Sequence, residues 1–363
     1  MKKQHFFLIL ALFCGLIALY AAAAGGGAHA QEQPGREKGE VHSLFAVSPD
    51  SSLLAYMAAL GDEKQIRICS WDGIRERSLV YLKSGSVTEL QWTPDGEAIL
   101  YLYDPLGKDN YHLFRTDLNK GITENLTPCE APVMSVLPYS QADPAELLVL
   151  VKNKGRDDVY RISLKKKTFL CDTANPGDVA AWLADNRLQV RCAEKRDAGG
   201  NVELMVRDDV SRPWRSLMKW QSRYPFEGAK AFSSDNSKIF IVQEKGIGAS
   251  AVFLADVRTG KKVEIFESRS APINGMTVDP KDLFIEAAST LDRAHTVWHP
   301  LNVEAATHYR IITKITAADS FFITSRSADN LRWVVKFLQE EGAFRYYLYD
   351  CASRKSRFLS EGS

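Results

Sequence analysis

Five histidines, one glycine-flanked serine and five cysteines are the residues beyond the N-terminal segment whose chemistry could go further than packing. Their spacing argues against the reactions they could serve. A serine nucleophile on an elbow needs Gly-x-Ser-x-Gly, because only glycine on both sides lets a sharp strand-to-helix turn present the hydroxyl. No such pentad occurs. Ser250 follows Gly246-Ile247-Gly248-Ala249, which is the wrong spacing and reads as a turn between strands. His42, His112, His295, His299 and His308 have no elbow beside them and read as packing or surface residues. His295 and His299 would share a helical face, but His-Thr-Val-Trp-His lacks the glutamate of the zinc-protease motif. Val297 and Trp298 favour a strand, which spreads positions four apart to about 13 Å. Glu340-Glu341 reads as a solvated hairpin tip and Lys165-Lys166-Lys167 as a solvated turn. Asn125-Leu126-Thr127 matches an N-glycosylation sequon. Gly25-Gly26-Gly27 and Gly199-Gly200 do not form a phosphate cradle; the second pair reads as a hairpin turn. Cys69, Cys129, Cys171, Cys192 and Cys351 are odd in number and never in Cys-x-x-Cys spacing, which speaks against a redox pair or zinc knuckle. They read as small apolar residues in strands, with one disulfide left open. The expectation is a chain with no catalytic, cofactor-binding or metal-binding residue of its own.

The elements that carry these residues repeat. Ser48-Pro49-Asp50, Thr93-Pro94-Asp95-Gly96, Ser234-Asp235-Asn236 and Ala328-Asp329-Asn330 each precede an apolar run such as Leu53-Leu54-Ala55-Tyr56 or Ile239-Phe240-Ile241-Val242. Aspartate closes a turn through its side chain, and glycine or asparagine accepts the left-handed backbone there. Weaker copies at Asp143, Asp185 and Asp282 complete a series at 50, 95, 143, 185, 235, 282 and 329, with steps of 45, 48, 42, 50, 47 and 47 residues. That period fits one propeller blade of four short strands. Second halves such as Val252-Phe253-Leu254-Ala255-Asp256-Val257, the turn Thr259-Gly260 and Val263-Glu264-Ile265-Phe266 read as hairpins. No long stretch keeps a 3.6-residue period, so helices should be few. The fold expected is all-β: a seven-bladed β-propeller of four-stranded antiparallel blades, roughly 41–82, 86–128, 132–172, 177–220, 226–268, 272–312 and 316–360. A lone four-stranded sheet leaves both apolar faces wet; stacking sheets side by side and closing the series buries them. Trp71, Trp92, Trp182, Trp220 and Trp333 are expected in that packing between blades.

Composition is globular, with 45% hydrophobic and 25% charged residues in 363. Forty-six basic residues against 45 acidic leave a net charge of +1, too little for the positive field that nucleic acid demands. Lys2 and Lys3, the apolar run from Phe6 to Ala24 and the small residues Ala28-His29-Ala30 form a signal-peptide pattern over residues 1–30, with the mature chain beginning near Gln31. An uncleaved anchor is the rival reading. Cys14 lacks the small residues a lipoprotein signal places before its cysteine. Residues 31–40 read as a polar linker. A periplasmic or secreted protein is expected, with no membrane attachment after cleavage.

The segment Gly107-Lys108-Asp109-Asn110-Tyr111-His112-Leu113-Phe114-Arg115-Thr116-Asp117-Leu118, with Asn125-Leu126-Thr127-Pro128 after it, resembles the propeller of prolyl oligopeptidase family serine peptidases. Asn175-Pro176-Gly177-Asp178-Val179, Trp182-Leu183-Ala184-Asp185, Glu203 to Asp209, Pro213-Trp214-Arg215 and Tyr346-Tyr347-Leu348-Tyr349-Asp350 resemble the same group, from about Val41 to Leu359. The acylaminoacyl-peptidase and dipeptidyl-peptidase-like branch is the nearest in character. In that family a hydrolase domain carrying serine, aspartate and histidine follows the propeller, and this chain stops at Ser363 where it would begin. The resemblance therefore implies a non-catalytic propeller that gates substrate or binds a partner, either with a hydrolase domain supplied in trans or as a truncated product of such a peptidase. Some members of the family hold a substrate amine with paired propeller glutamates; Glu340-Glu341 lies in a different blade context. The alternative is a stand-alone TolB-like periplasmic propeller that binds a protein or peptide. An enzyme with a site in the central channel ranks last, because no convergent set of carboxylates or histidines is visible.

Overall fold

The computed structural model describes residues 40–138, 143–293, 295–318 and 320–362, with the side chain of Glu340 left aside. The signal-peptide reading of 1–30 and the linker up to residue 39 lie outside them. In chain order the strands are β1 Val41–Val47, β2 Leu53–Leu60, β3 Glu63–Ser70 and β4 Glu76–Leu82; β5 Ser86–Trp92, β6 Ala98–Asp104, β7 His112–Asp117 and β8 Thr123–Asn125; β9 Val133–Val136, β10 Glu146–Asn153, β11 Arg156–Ser163 and β12 Thr168–Thr173; β13 Val179–Ala184, β14 Val190–Arg196, β15 Asn201–Val206 and β16 Arg215–Gln221; β17 Gly228–Phe232, β18 Lys238–Gly246, β19 Ala249–Asp256 and β20 Lys262–Ser268; β21 Ile273–Val278, β22 Ile285–Asp292 and β23 His295–Pro300; β24 Ser320–Arg326, β25 Arg332–Leu338, β26 Phe344–Asp350 and β27 Lys355–Gly362. Each group is one sheet whose strands pair in simple succession, and the fold is a seven-bladed β-propeller. Six sheets have four strands; the sixth has three and is followed by a helix, α1, Val303–Ile312.

The repeated aspartate works with a hydroxyl two residues before it. Ser48, Thr93, Ser233 and Ser327 each donate to Asp50, Asp95, Asp235 and Asp329, at 2.6, 2.6, 2.7 and 2.6 Å. Each hydroxyl oxygen also accepts the amide five residues on, that of Leu53, Ala98, Lys238 or Arg332, at 2.9–3.0 Å. The carboxylate takes a further amide of the turn. Asn236 and Asn330 hold the left-handed backbone, with φ of 60° at both. Ser327→Ala strands the Arg332 amide beside a fully buried site. A loss of about 1–3 kcal/mol is expected in urea denaturation; an unchanged midpoint would show that the turn does not depend on the hydroxyl.

The chain separates into two compact units, residues 134–306 and, together, 40–133 with 307–362. In the second unit the first and last sheets pack on each other. Phe45, Val47, Leu54 and Tyr56 meet Val334, Tyr346, Leu348 and Leu359 in one apolar cluster. Polar contacts stitch the same seam: the Val47 amide donates to Ser325 Oγ at 2.9 Å, the Ala328 amide to the Pro49 carbonyl at 3.1 Å, and Arg357 to the Trp71 carbonyl at 2.6 Å. Both sheets keep all four of their own strands, so the seam closes through side-chain packing and scattered hydrogen bonds rather than through a strand borrowed from the other terminus. Trp92 joins the first and second sheets by donating to the Ala46 carbonyl at 2.9 Å. In the first unit, Trp182 joins the fourth sheet to the third through the Asp157 carbonyl at 2.8 Å, and Trp220 packs on the cluster shared by the fourth and fifth sheets. Arg332 stacks over the Trp71 ring across the seam. Trp333 instead packs inside its own unit, against His308 and Tyr349.

Candidate functional site

The residues that sequence reasoning weighed for chemistry are scattered and already engaged. Ser250 is not in a turn: the glycine turn ends at Gly248, and Ser250 is the second residue of β19, 1% exposed. Its hydroxyl accepts the Ile273 amide at 2.6 Å, tying β19 to the next sheet. His42 bonds Glu40 at 2.9 Å, His112 the Thr127 carbonyl at 3.0 Å, His299 the Thr290 hydroxyl at 2.9 Å and His308 the Tyr349 hydroxyl at 2.9 Å. His295 and His299 lie four apart on strand β23, and burial pushes the His299 imidazole below its ordinary range. Glu341 sits at the tip between β25 and β26 with φ of 59°. Lys165, Lys166 and Lys167 are exposed in the turn before β12. Asn125 is exposed, while Thr127 of the sequon is fully buried and accepts the Leu113 amide at 2.9 Å. Cys69 and Cys192 are buried thiols, Cys171 is an exposed one, and Cys351 is buried. Among the described residues no group of three or more His, Cys, Asp or Glu could hold a metal ion, and no helix is long and apolar enough to cross a membrane.

A candidate ligand site lies in the first unit. A cavity of about 540 Å³ opens between the turns of the fourth and fifth sheets, lined by Asp185, Arg187, Arg191, Asp235, Asp256 and Arg258 among others. The turn chemistry builds its walls. Asp185 accepts the Arg187 and Gln189 amides at 2.9 and 3.0 Å and pairs with Arg191 at 3.1 Å. Asp256 accepts the Arg258 and Thr259 amides at 3.1 and 2.8 Å. The Ser233 hydroxyl, with the Ser237 amide and hydroxyl, holds the Asp235 carboxyl down at about 2. Asp235 and Asp256, both held below the ordinary carboxyl range by these hydrogen bonds, keep the wall polar. Because the native state holds the Asp235 proton less tightly than an unfolded chain with a carboxyl near 3.9, its stabilisation is complete above that value. It is lost as pH falls toward about 2. The stability gap between wild type and Asp235→Asn should therefore shrink between pH 4.5 and 2 in urea titrations; a constant gap would contradict this.

A second group was not legible in the sequence. Glu194 is 2%, Glu227 0% and Lys230 1% exposed. The Ala229 amide donates to Glu194 Oε2 at 2.9 Å, and Arg196 donates to the Glu227 carbonyl at 2.6 Å and to Ser222 Oγ at 3.1 Å. Gly228 has to be glycine: φ is 119°, and a Cβ would fall 2.0 Å from Glu194 Oε2.

The chain is similar to characterised proteins. It is 23% identical over 312 residues to dipeptidyl aminopeptidase BIII of Pseudoxanthomonas mexicana, a match that takes in 84% of this chain and 44% of that protein. The chain thus spans less than half the length of the curated relative. Among solved structures, a prolyl endopeptidase superposes with a TM-score of 0.64 at 11% identity, over 89% of this chain and 50% of that one. The β-propeller domain of the Trilobed protease from Pyrococcus furiosus, described as having an open velcro topology, gives 0.60 at 12% identity, over 89% and 96%. No family model matches. The solved structures speak for the fold, and together with the aminopeptidase they bear out the resemblance to prolyl oligopeptidase family propellers.

Proposed function

We propose that this chain is the non-catalytic propeller of an exported prolyl oligopeptidase-like serine peptidase. It admits or holds a peptide while a hydrolase domain does the cutting. The observation that carries this reading is the match of 84% of the chain to a 44% share of a peptidase. Ser250, which accepts the Ile273 amide, is taken up in a contact between strands, in keeping with this reading. The polar cavity between the fourth and fifth sheets is the place on this chain where an extended peptide would lie. Export to the periplasm or beyond rests on the basic, apolar and small-residue succession of residues 1–30.

The test is to use the tagged chain as bait in an envelope extract and to read the captured proteins with a fluorophosphonate probe and mass spectrometry. The expected result is a probe-reactive partner with a serine on a Gly-x-Ser-x-Gly elbow. Capture only of envelope proteins without that elbow would overturn this reading in favour of a stand-alone TolB-like binding propeller.

A further inference from the structure

Glu227 is 0% exposed, and its carboxyl oxygens have no well-formed hydrogen-bond partner; the Ser222 hydroxyl and Arg223 amide approach them and offset only part of the cost of burial. Three residues on, Lys230 is enclosed too. Its ammonium has a 3.5 Å approach to the Glu227 carbonyl and stands over the Phe226 ring at 4.3 Å. The other ionisable groups that face this pair come from every neighbouring element. Glu194 and Arg196 project from β14, with the Cys192 thiol buried beneath them. Arg223 comes from the connection 222–227 and pairs at 3.4 Å with Glu244 of β18. Three carboxyls thus stand against three cations. The pairing is uneven: Glu194 has an amide and Arg196, and Glu244 has Arg223. At Glu227 and Lys230 burial outweighs the compensation on offer, which for Lys230 comes first from Glu194 and for Glu227 from the Ser222 hydroxyl and Arg196. An enclosed charge without a strong partner costs several kcal/mol and is relieved by losing the charge.

We propose that the connection 222–227, which leads from the fourth sheet into β17, is a proton-linked latch: it is weakest near neutral pH, where Glu227 and Lys230 are both driven toward charge, and tightens toward acid and toward alkali. The two limbs have opposite origins. Burial raises the Glu227 carboxyl above its ordinary value, so its neutral form stabilises the fold at acid pH and that contribution fades as pH rises through the folded value. Burial lowers the Lys230 ammonium to about 8. Above that value the native lysine is neutral while the unfolded one still holds its proton, so stability is regained as pH climbs toward 10.5. Most folded proteins show the reverse, a maximum between about pH 5 and 8.

The experiment is urea denaturation of the full chain between pH 5 and 9.5, as wild type, Glu227→Gln and Lys230→Met. Differences between wild type and variant cancel the other titrating groups. Relative to Lys230→Met, the folding constant of wild type should rise about tenfold between pH 8 and 9.5. Relative to Glu227→Gln, it should fall between pH 5 and 7. Differences that stay flat with pH for both variants would overturn the latch. If a variant does not fold, the wild-type protein labelled with 15N-lysine answers alone: one Nζ signal titrating near pH 8 supports the proposal, and lysines titrating only in their ordinary range overturn it.

Discussion

Trp92→Ala is expected to lower the stability of this protein by about 3–5 kcal/mol. Trp92 closes β5 with its ring 2% exposed, inside a cluster built from the first and second sheets. Ala46, Ala55, Met57 and Ile66 come from one sheet, Leu90, Ile99 and Tyr101 from the other. Truncation removes the largest ring of that contact and leaves a void that the strands on either side cannot collapse into. It also takes the indole N–H from the Ala46 carbonyl. Trp92→Phe, which keeps most of the volume and loses the hydrogen bond, should cost less than half as much. Urea denaturation of the two variants separates volume from hydrogen bond. If Trp92→Ala lies within about 1 kcal/mol of wild type, the sheets are not held together by the buried face that a propeller requires.

Glu194→Ala is expected to be as damaging, at about 3–5 kcal/mol, for an electrostatic reason. Its carboxylate holds the Ala229 amide and approaches Arg196 at 3.5 Å, and it offsets the charge of buried Lys230. Removing it leaves a buried N–H without an acceptor and a buried ammonium without its nearest countercharge. Glu194→Gln keeps an oxygen for the amide and should recover part of the loss. Adding Lys230→Met to Glu194→Ala should recover more, because the orphaned charge goes with it. A double variant no more stable than Glu194→Ala would place the loss in the amide contact instead.

The fold was open to reading because its turns are built from side chains. An aspartate that must accept the amides of its own turn cannot be replaced by an arbitrary polar residue, so it recurs: Asp50, Asp95, Asp185, Asp235, Asp282 and Asp329 each accept such an amide and together set the period. The serine or threonine two residues earlier is its partner in four of these turns, and at Ser233 and Ser327 the sequence motif was framed one residue too late to include it. Helix α1 left a signal that went unused. Asn302 caps it by accepting the Ala305 amide at 2.7 Å, and Ala305, Tyr309 and Ile312 are buried at helical spacing. Ten residues are too few for that period to stand out beside β-rich neighbours. Ser250 was misplaced because two glycines mark a turn without marking where it ends. The Glu194, Glu227 and Lys230 group could not be foreseen: along the chain these are ordinary charged residues, two in strands and one in the connection before β17, and only the approach of the fourth sheet to the fifth encloses them.

If the chain is a non-catalytic propeller, as proposed, treating the purified protein with a fluorophosphonate should leave its intact mass unchanged. No covalent adduct and no turnover of a chromogenic dipeptide substrate are expected in the same sample. A stoichiometric adduct on one serine, with hydrolysis lost in parallel, would contradict the proposal.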